Sequence, residues 1–261
     1  MRIGFIGAGN MASALAGAIA AAESDVAFTA YDVSAEQLER FGSALTHFSP
    51  ASDNRTVLST SDLTFLAVKP QVFDRVLPEI ADTDALVVSI AAGIRISRLE
   101  AALPAARIVR VMPNTPGLVG EMAAGYSSGS RAAAQDLELV GRLLSAAGIA
   151  IELPEELLDA VTGVSGSGPA FVARLIEAFT RAGVAEGLSH DVAYRLVLAT
   201  FSGTARLLDA KGLSPEELVT MVSSPGGTTV AGRRVLESSG VERAIRRSVG
   251  AAVERSRELG S

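Results

Sequence analysis

Short apolar runs alternate with amphipathic stretches through the first 153 residues of the chain. The runs have the length of buried strands, and the stretches between them repeat apolar positions with a helical period. We predict strands at residues 2–6, 26–31, 63–68, 86–90, 107–111, 122–127 and 149–153. We predict helices at residues 11–22, 35–41 and 132–147, with helical patterns between most of the other strands. This alternation is typical of a doubly wound, mainly parallel α/β sheet of the Rossmann type.

From Pro154 onward the strand pattern ends and long helical repeats replace it. In the repeat that begins at His190, Val192 and Leu196 lie on one side and Phe201 on another, so that apolar surface covers much of the helix. Such a helix requires neighbours all round, and we expect a second copy of the chain to supply some of them, with an intrachain bundle as the alternative. The predicted helices are residues 155–161, 169–187, 190–211, 215–222, a run from 226, and 241–259.

The sequence therefore divides into a predicted α/β domain of residues 1–153 and an all-α domain of residues 154–261. Apolar residues make up 48% of the 261 residues and the net charge is −6, which is typical of a globular protein and gives no basic surface for nucleic acid. With no cysteine and two histidines, we expect no disulfide, no thiol nucleophile and no metal site. No run is long enough for a signal peptide or a membrane span, and we expect a cytoplasmic protein.

A glycine-rich turn follows the first predicted strand and opens the first helix. It reads Gly7-Ala-Gly9-Asn10-Met11-Ala12, and an acidic residue, Asp32, ends the second strand about 20 residues later. Free N–H groups at the start of such a helix bind the pyrophosphate of a dinucleotide. We predict dinucleotide binding through these residues, and a merely tight turn is the alternative.

The carboxylate of Asp32 bears on which dinucleotide is bound. A carboxylate at the end of the second strand accepts hydrogen bonds from both ribose hydroxyls and repels a 2′-phosphate. No arginine follows it before Arg40, so the sequence offers no local partner for that phosphate. Asp32 therefore favours NADH over NADPH, unless it only caps the turn that follows it.

Further loops follow later strands, at the edge of the sheet where open α/β folds bind ligands. We predict that they extend the cofactor site, although Lys69 is alternatively only solvated, and Asn114 alternatively only stabilises a turn. Small residues just before Pro169 predict close approach of the nicotinamide, with a close crossing of two helices as the alternative. The residues concerned are Val68, Lys69, Pro70, Ala91, Ala92, Gly93, Asn114, Ser165 and Ser167.

A second glycine pair opens a helix in the C-terminal half, in the run Ser224-Pro-Gly226-Gly227-Thr228-Thr229. Its backbone N–H groups and the dipole of the helix favour a carboxylate or a phosphate. We expect Gly226, Gly227 and Thr228 to bind the carboxylate of a small substrate, with the Ser224 hydroxyl supporting the loop. Together with the first turn, this predicts a reductase that acts on a small anion.

Acid–base residues are few. His47 falls in a further strand that we expect between those at 26–31 and 63–68, as the third of the α/β domain, and His190 falls at a helix start. Surface or capping roles are expected for both. Only Lys69 and Lys211 are lysines, and neither lies in the helix predicted at 169–187.

Taken together, six segments in chain order resemble those of pyrroline-5-carboxylate reductases, and the glycine pair with its serine and threonine is the most specific of them. The segments are residues 4–11, 68–70, 89–93, 112–116, 164–170, and 223–229 followed by 235–237. The resemblance implies reduction of 1-pyrroline-5-carboxylate to L-proline by NAD(P)H, in a homodimer that often assembles into a ring of five dimers. It also implies that Thr229 hydrogen-bonds the ring nitrogen of the substrate. Many members have a small or neutral polar residue at the position of Asp32, which suits NADPH.

Three other functions remain open from the sequence. A reductase of another cyclic imine would use similar chemistry. A β-hydroxyacid dehydrogenase resembles this fold, but it carries a lysine in the helix that here, at 169–187, has none. A non-catalytic dinucleotide sensor would not need the second anion site.

Overall fold

A computed structural model of the protein describes residues 1–260; Ser261, the last residue of the predicted all-α domain, lies outside them. The strands are β1 Arg2–Ile6, β2 Ala27–Tyr31, β3 Phe48–Pro50, β4 Leu63–Leu66, β5 Leu86–Ser89, β6 Arg107–Met112, β7 Met122–Ser128 and β8 Gly148–Glu152. The helices are α1 Asn10–Ala22, α2 Ala35–Ser43, α3 Asn54–Ser59, α4 Phe73–Glu79, α5 Ile96–Ala102, α6 Ala134–Ser145, α7 Leu158–Val161, α8 Gly168–Ala185, α9 His190–Lys211, α10 Pro215–Met221, α11 Thr228–Ser238 and α12 Val241–Leu259.

The eight strands form one sheet in the order β3-β2-β1-β4-β5-β6-β7-β8. The first six have the strand order of a dinucleotide-binding fold, and β1 and β4 flank the point where the order reverses. All pairs are parallel except β6 with β7, which are antiparallel. The predicted doubly wound, mainly parallel sheet is confirmed.

Apolar residues fill both faces of this sheet. On one face, Phe5 stacks on Phe65 with ring centroids 4.9 Å apart and also contacts Phe41 of α2. On the other face, Ile6 packs with the buried residues of α3, α4 and α5, including Phe73. Side chains alternate along β1, so this strand contributes residues to the apolar layers on both faces of the sheet. It is buried from Ile3 onward.

Contacts divide the chain into two compact units. The sheet unit comprises Met1–Ser167 and the segment from Gly250 onward, and the helical unit comprises Gly168–Val249. Residues 154–167 therefore group with the sheet by their contacts, whereas the division into functional domains at residue 153 stays a prediction. Within residues 1–260, no helix is both long and apolar enough to cross a membrane.

The helical unit contains the helices expected from the sequence. Ser189 caps α9 by accepting a hydrogen bond from the N–H of Val192, and the helix ends at Gly212 with φ of 61°. Ser214 and Glu217 form a capping box at the start of α10, and the N–H of Ser214 lowers the pKa of the Glu217 carboxyl.

The predicted helix at 155–161 is only partly helical. Residues 155–157 form a 3₁₀ turn, α7 follows, and residues 162–166 form a π-helical turn in which the N–H of Ser167 donates to the carbonyl of Thr162 at 2.8 Å. Pro169 explains the widened turn, because it has no N–H to offer the carbonyl of Ser165 four residues earlier. The side-chain amide of Asn114 donates to that carbonyl instead, at 3.1 Å.

Candidate dinucleotide and anion sites

The turn between β1 and α1 needs glycine at its first position. Gly7 has φ of 97°, and a Cβ there would lie 2.8 Å from the carbonyl oxygen of Ala67. Gly9 is the N-cap of α1, and no side chain among residues 1–260 caps this helix. The first N–H groups of α1, including those of Met11 and Ala12, thus face outward without a helical partner and can bind an anion.

The space beside Gly9 is open. A Cβ built there would come no nearer than 3.6 Å to its closest neighbour, Oε1 of Gln37, and the φ of Gly9 is −72°, which any residue adopts. The fold itself therefore does not require glycine at this position. The open space beside Gly9, which a side chain would fill, fits a pyrophosphate that comes close to the backbone.

Asp32 lies where the sequence places it, at the end of β2, and its carboxylate is held on both sides. Oδ2 accepts the N–H of Ala8 at 2.7 Å, and Oδ1 accepts the N–H of Ser34 at 2.8 Å. The capping role is thus observed. Since each carboxylate oxygen accepts more than one hydrogen bond, these two bonds orient the group and leave acceptor capacity for ribose hydroxyls.

A cleft of about 310 Å³ opens beside Asp32 at the carboxyl ends of β1, β2 and β4. It brings together five of the predicted cofactor residues and others that were not predicted. The predicted ones are Gly7, Gly9, Asp32, Val68 and Lys69. The others include Val33, Gln37, Asp53, Asn54, Val72, Arg75 and Glu79.

Asn54 is the most constrained of the missed residues. It is 5% exposed, and its Nδ2 donates to Oε2 of Glu79 at 2.7 Å. Its neighbour Asp53 caps α3, and the hydrogen bonds from Thr56, the backbone N–H first, lower the pKa of the Asp53 carboxyl. The signal was an Asp-Asn pair that follows a strand, but β3 is only three residues long and we predicted it around His47 without bounds.

The loops after β4 and β5 adopt defined turns. Lys69 is exposed and caps the 3₁₀ turn that begins at Pro70. Ala91 is 4% exposed, Ala92 is exposed, and Gly93 has φ of 76°. β4 flanks the reversal point of the sheet and β5 is its neighbour, so both loops lie at the edge where a dinucleotide lies in this fold.

Asn114 has the structural role that we considered as the alternative. It is 7% exposed, its Oδ1 accepts the N–H of Ala123 at 2.8 Å, and its Nδ2 bonds the Ser165 carbonyl. The Ser165 hydroxyl donates to the Val161 carbonyl within the π-helical segment, and Ser167 closes that segment. A cofactor contact for these three polar residues stays a prediction.

A buried charge lies under the same edge of the sheet. Arg110 on β6 is 2% exposed and donates to Oε1 of Glu155 at 2.8 Å. The same oxygen accepts the N–H of Ile96, the first residue of α5. Glu155 therefore neutralises a buried arginine and caps a helix that begins just after the Gly93 loop.

In the helical unit, the run from Ser224 to Gly227 forms a β-turn. The N–H of Gly227 donates to the carbonyl of Ser224 at 3.0 Å, and Gly226 has φ of 71°, as the third residue of a type II turn with proline before it requires. A Cβ on Gly227 would lie 2.5 Å from the Ser224 hydroxyl oxygen. Gly226 is thus needed for the turn, a side chain at position 227 would crowd Ser224, and the Gly227 N–H is used within the turn.

The turn leads directly into α11, whose first residues are Thr228 and Thr229. Both are exposed, and no described side chain caps the helix. Their N–H groups cannot bond within the helix, because the first turn has no preceding carbonyls in register. The site therefore offers two backbone donors and two hydroxyls at the positive end of a helix dipole.

Little of the helical unit is buried within one chain. Of residues 168–249, all of which the structure describes, only Thr180 and Ala193 are buried. Phe179 and Leu196 are 51% and 56% exposed and, with Phe201, line an apolar groove of about 420 Å³. An apolar surface of this extent is typical of an interface.

The histidines take no part in either site. His190 begins α9 and stacks on Tyr194, and His47 lies one residue before β3. Among residues 1–260 no group of three or more histidine, aspartate or glutamate side chains is arranged to hold a metal ion.

Two family models match the chain. Residues 155–259 match the model described as pyrroline-5-carboxylate reductase dimerisation, and residues 2–93 match the model described as NADP oxidoreductase coenzyme F420-dependent. The first covers the whole helical unit, and the second covers the glycine turn, Asp32, the loop after β4 and the loop after β5 as far as Gly93.

Relatives of the whole chain are found among curated proteins and solved structures. A pyrroline-5-carboxylate reductase of Methanosarcina acetivorans is 41% identical over 268 residues, which cover 99% of this chain and 98% of the relative. The structure of a pyrroline-5-carboxylate reductase from Coxiella burnetii superposes with a TM-score of 0.92 at 33% identity, covering 99% and 98% of the two chains. A pyrroline carboxylate reductase of Plasmodium falciparum with NADP bound gives 0.87 at 33% identity, covering 100% and 98%.

Proposed function

The chain belongs to the pyrroline-5-carboxylate reductase family, and we infer that it reduces 1-pyrroline-5-carboxylate to L-proline with NAD(P)H. This is an oxidoreductase reaction at a carbon–nitrogen bond and the last step of proline biosynthesis. The observation that carries the inference is the turn at residues 224–227, which is intact and leaves uncapped N–H groups at the start of α11. A carboxylate substrate fits that site, and family membership over 99% of the chain supports its identity.

We propose that the sheet unit binds the cofactor along the edge that bears the glycine turn. The N–H groups of the α1 first turn, at Asn10, Met11 and Ala12, face the pyrophosphate, and Gly7 and Gly9 give the backbone room. Asp32 orients the adenosine ribose. The loops after the later strands extend the site toward the nicotinamide, through Val68, Lys69, Pro70, Ala91, Ala92, Gly93, Asn114, Ser165 and Ser167.

We propose that the substrate carboxylate binds at the start of α11. The free N–H groups of Thr228 and Thr229 donate to it, while Gly226 and Gly227 give the turn its shape. Ser224 supports this turn, because its carbonyl accepts the Gly227 N–H.

The bound nicotinamide supplies a hydride to the imine carbon of the substrate. The protein's task is to bind and orient, because a protonated imine needs no strong acid or base to accept a hydride. We propose that the Thr229 hydroxyl hydrogen-bonds the ring nitrogen and fixes the face of the imine, and that the proton comes from solvent. A threonine hydroxyl is too weak an acid to supply that proton itself at neutral pH.

The oriented carboxylate of Asp32 supports NADH as the better cofactor. This carboxylate would lie against the 2′-phosphate of NADPH and repel it. The same cleft is lined by two cations, Lys69 and Arg75, and by three carboxylates, Asp32, Asp53 and Glu79. The relative solved with NADP bound supports the opposite choice. We propose NADH on the strength of the local charges.

We expect the purified protein to oxidise NADH at 340 nm in the presence of 1-pyrroline-5-carboxylate and to form proline. The kcat/KM for NADH should exceed that for NADPH by about tenfold or more, which corresponds to a cost of about 1.4 kcal/mol for placing a 2′-phosphate next to a carboxylate. Asp32→Asn keeps the shape of the side chain and removes its charge, and should lower this ratio. Asp25→Asn, an exposed aspartate at the opposite end of β2, is the matched control and should leave it unchanged.

Other outcomes separate the alternatives. Preference for NADPH by the unchanged chain would contradict the role given to Asp32. Cofactor binding with no turnover of this substrate, but turnover of another cyclic imine or of a β-hydroxyacid, would reassign the substrate. Tight cofactor binding with no turnover of any of them would support the non-catalytic sensor.

We also propose that the helical unit pairs two copies of the chain, with a ring of five dimers as the larger assembly, in the cytoplasm. The dimerisation model that matches residues 155–259 and the small number of buried residues in this unit support pairing. Light scattering at sub-micromolar concentration should return the mass of at least two chains. A monomer under these conditions would exclude the pairing.

A further inference from the structure

The last turn of α12 packs against the loop that follows β5. A Cβ built on Gly93 would lie 3.1 Å from Cβ of Leu259 and 3.4 Å from its carbonyl, and a Cβ built on Gly260 would lie 3.0 Å from the carbonyl oxygen of Gly93. The two backbones thus approach so closely that a side chain at either glycine would force its neighbours to shift by a few tenths of an ångström. The contact lies within the sheet unit, which includes the segment from Gly250 onward.

Polar groups fix this turn of α12 in place. The Ser256 hydroxyl donates to Oδ1 of Asp159 at 2.7 Å, and the two residues are each 4% exposed. The other carboxylate oxygen of Asp159 lies 3.5 Å from a guanidinium nitrogen of Arg95, whose Nε donates to the carbonyl of Gly260 at 3.1 Å. We call these four residues the C-terminal clamp.

The clamp connects the end of α12 to residues that are distant from it in the sequence. Arg95 is the N-cap residue of α5 and follows Gly93 by two positions, so that any shift of the loop moves Arg95 with it. A hydrogen bond to an ionised carboxylate is stronger than a neutral one, and it is stronger again where water is excluded, as at Ser256 and Asp159. The loop is therefore held by the end of α12.

We propose that the C-terminal clamp positions the loop of Ala91, Ala92 and Gly93 for the cofactor, with Ser256 and Arg95 as positioning residues. The proposal rests on the proposed function, which assigns this loop to the cofactor site. Nothing in the clamp touches the reacting atoms. Its effect is on the affinity for the cofactor, because an unbraced loop loses conformational entropy each time a ligand orders it.

Ser256→Ala and Arg95→Ala in the full-length protein test the proposal. We expect each to raise the Kd for NADH, measured by fluorescence titration, about fivefold and to leave the KM for 1-pyrroline-5-carboxylate within about twofold. Amide hydrogen exchange of residues 89–95, measured without cofactor, should become faster. Matched controls are Ser248→Ala, whose hydroxyl bonds only the Ala244 carbonyl in α12, and Arg98→Ala, which pairs with exposed Asp74.

Unchanged exchange of residues 89–95 in both clamp variants would overturn the clamp itself. Faster exchange with an unchanged Kd would overturn its role toward the cofactor, as would equal effects from the two control variants. A lower melting temperature without a change in Kd identifies a structural role only and also contradicts the proposal. Failure of the unchanged protein to bind either NADH or NADPH would instead contradict the proposed function, whatever the exchange data show.

Discussion

Gly9→Val is expected to leave the protein folded and to weaken the binding of NADH by about 100-fold or more. Valine fits at this position without the cofactor, since the nearest atom to its Cβ is 3.6 Å away and the φ of −72° is ordinary. The added methyl groups would occupy the space that the pyrophosphate needs next to the first turn of α1. Two charge-assisted hydrogen bonds between the N–H groups of this turn and the pyrophosphate, of about 1.5 kcal/mol each, would be lost. Titration of NADH fluorescence measures the affinity, and circular dichroism measures the fold.

Gly17→Val is the matched control for this experiment. Gly17 lies in the same helix, and a Cβ there would have no neighbour within 4 Å. The control should bind NADH as the unchanged protein does, with a stability change of at most about 1 kcal/mol. If Gly9→Val bound NADH normally, the pyrophosphate would not lie at the start of α1, and the cofactor site would have to be placed elsewhere.

Thr229→Ala is expected to lower kcat by about tenfold or more with a much smaller effect on the KM for 1-pyrroline-5-carboxylate. The backbone N–H that we assign to the carboxylate is kept in this variant, and only the hydroxyl that orients the imine is lost. Orientation of the reacting group contributes to kcat rather than to binding, which gives the asymmetry. Steady-state kinetics with saturating cofactor measure both constants.

Thr220→Ala provides the comparison, because the Thr220 hydroxyl is exposed and bonds only the Glu216 carbonyl within α10. It should leave kcat unchanged. A loss of only two- to threefold in Thr229→Ala would remove the hydroxyl from the mechanism, and a large rise in KM with normal kcat would assign it to binding alone.

The sequence predicts the parts of the fold that depend on local periodicity. The order of strands and helices around the glycine turn follows from short apolar runs. The caps at Ser34, Ser189 and Ser214 are local as well, because each serine side chain accepts from the N–H three residues later. The glycine pair at the start of α11 is also local, since its turn spans four residues.

Features that depend on contacts between distant residues were not predicted. Asn54 reaches the cofactor cleft because a three-residue strand places it there, and a strand that short has no readable period. An arginine is ordinarily exposed, and only the fold shows that Arg110 has Glu155 beside it as a partner. The π-helical turn depends on Pro169, which is visible in the sequence. It also depends on Asn114, and the sequence does not show that Asn114 lies next to the Ser165 carbonyl.

The division of the chain into units has a consequence for its biosynthesis. The helical unit is an insertion in the sheet unit, because the chain leaves the sheet unit after Ser167 and returns at Gly250. On the ribosome, the first 167 residues emerge and can begin to fold long before Ser256 and Gly260 are made. A nascent chain therefore carries a complete set of strands but an unbraced Gly93 loop, and the sheet unit reaches its final form only after α12 has been made.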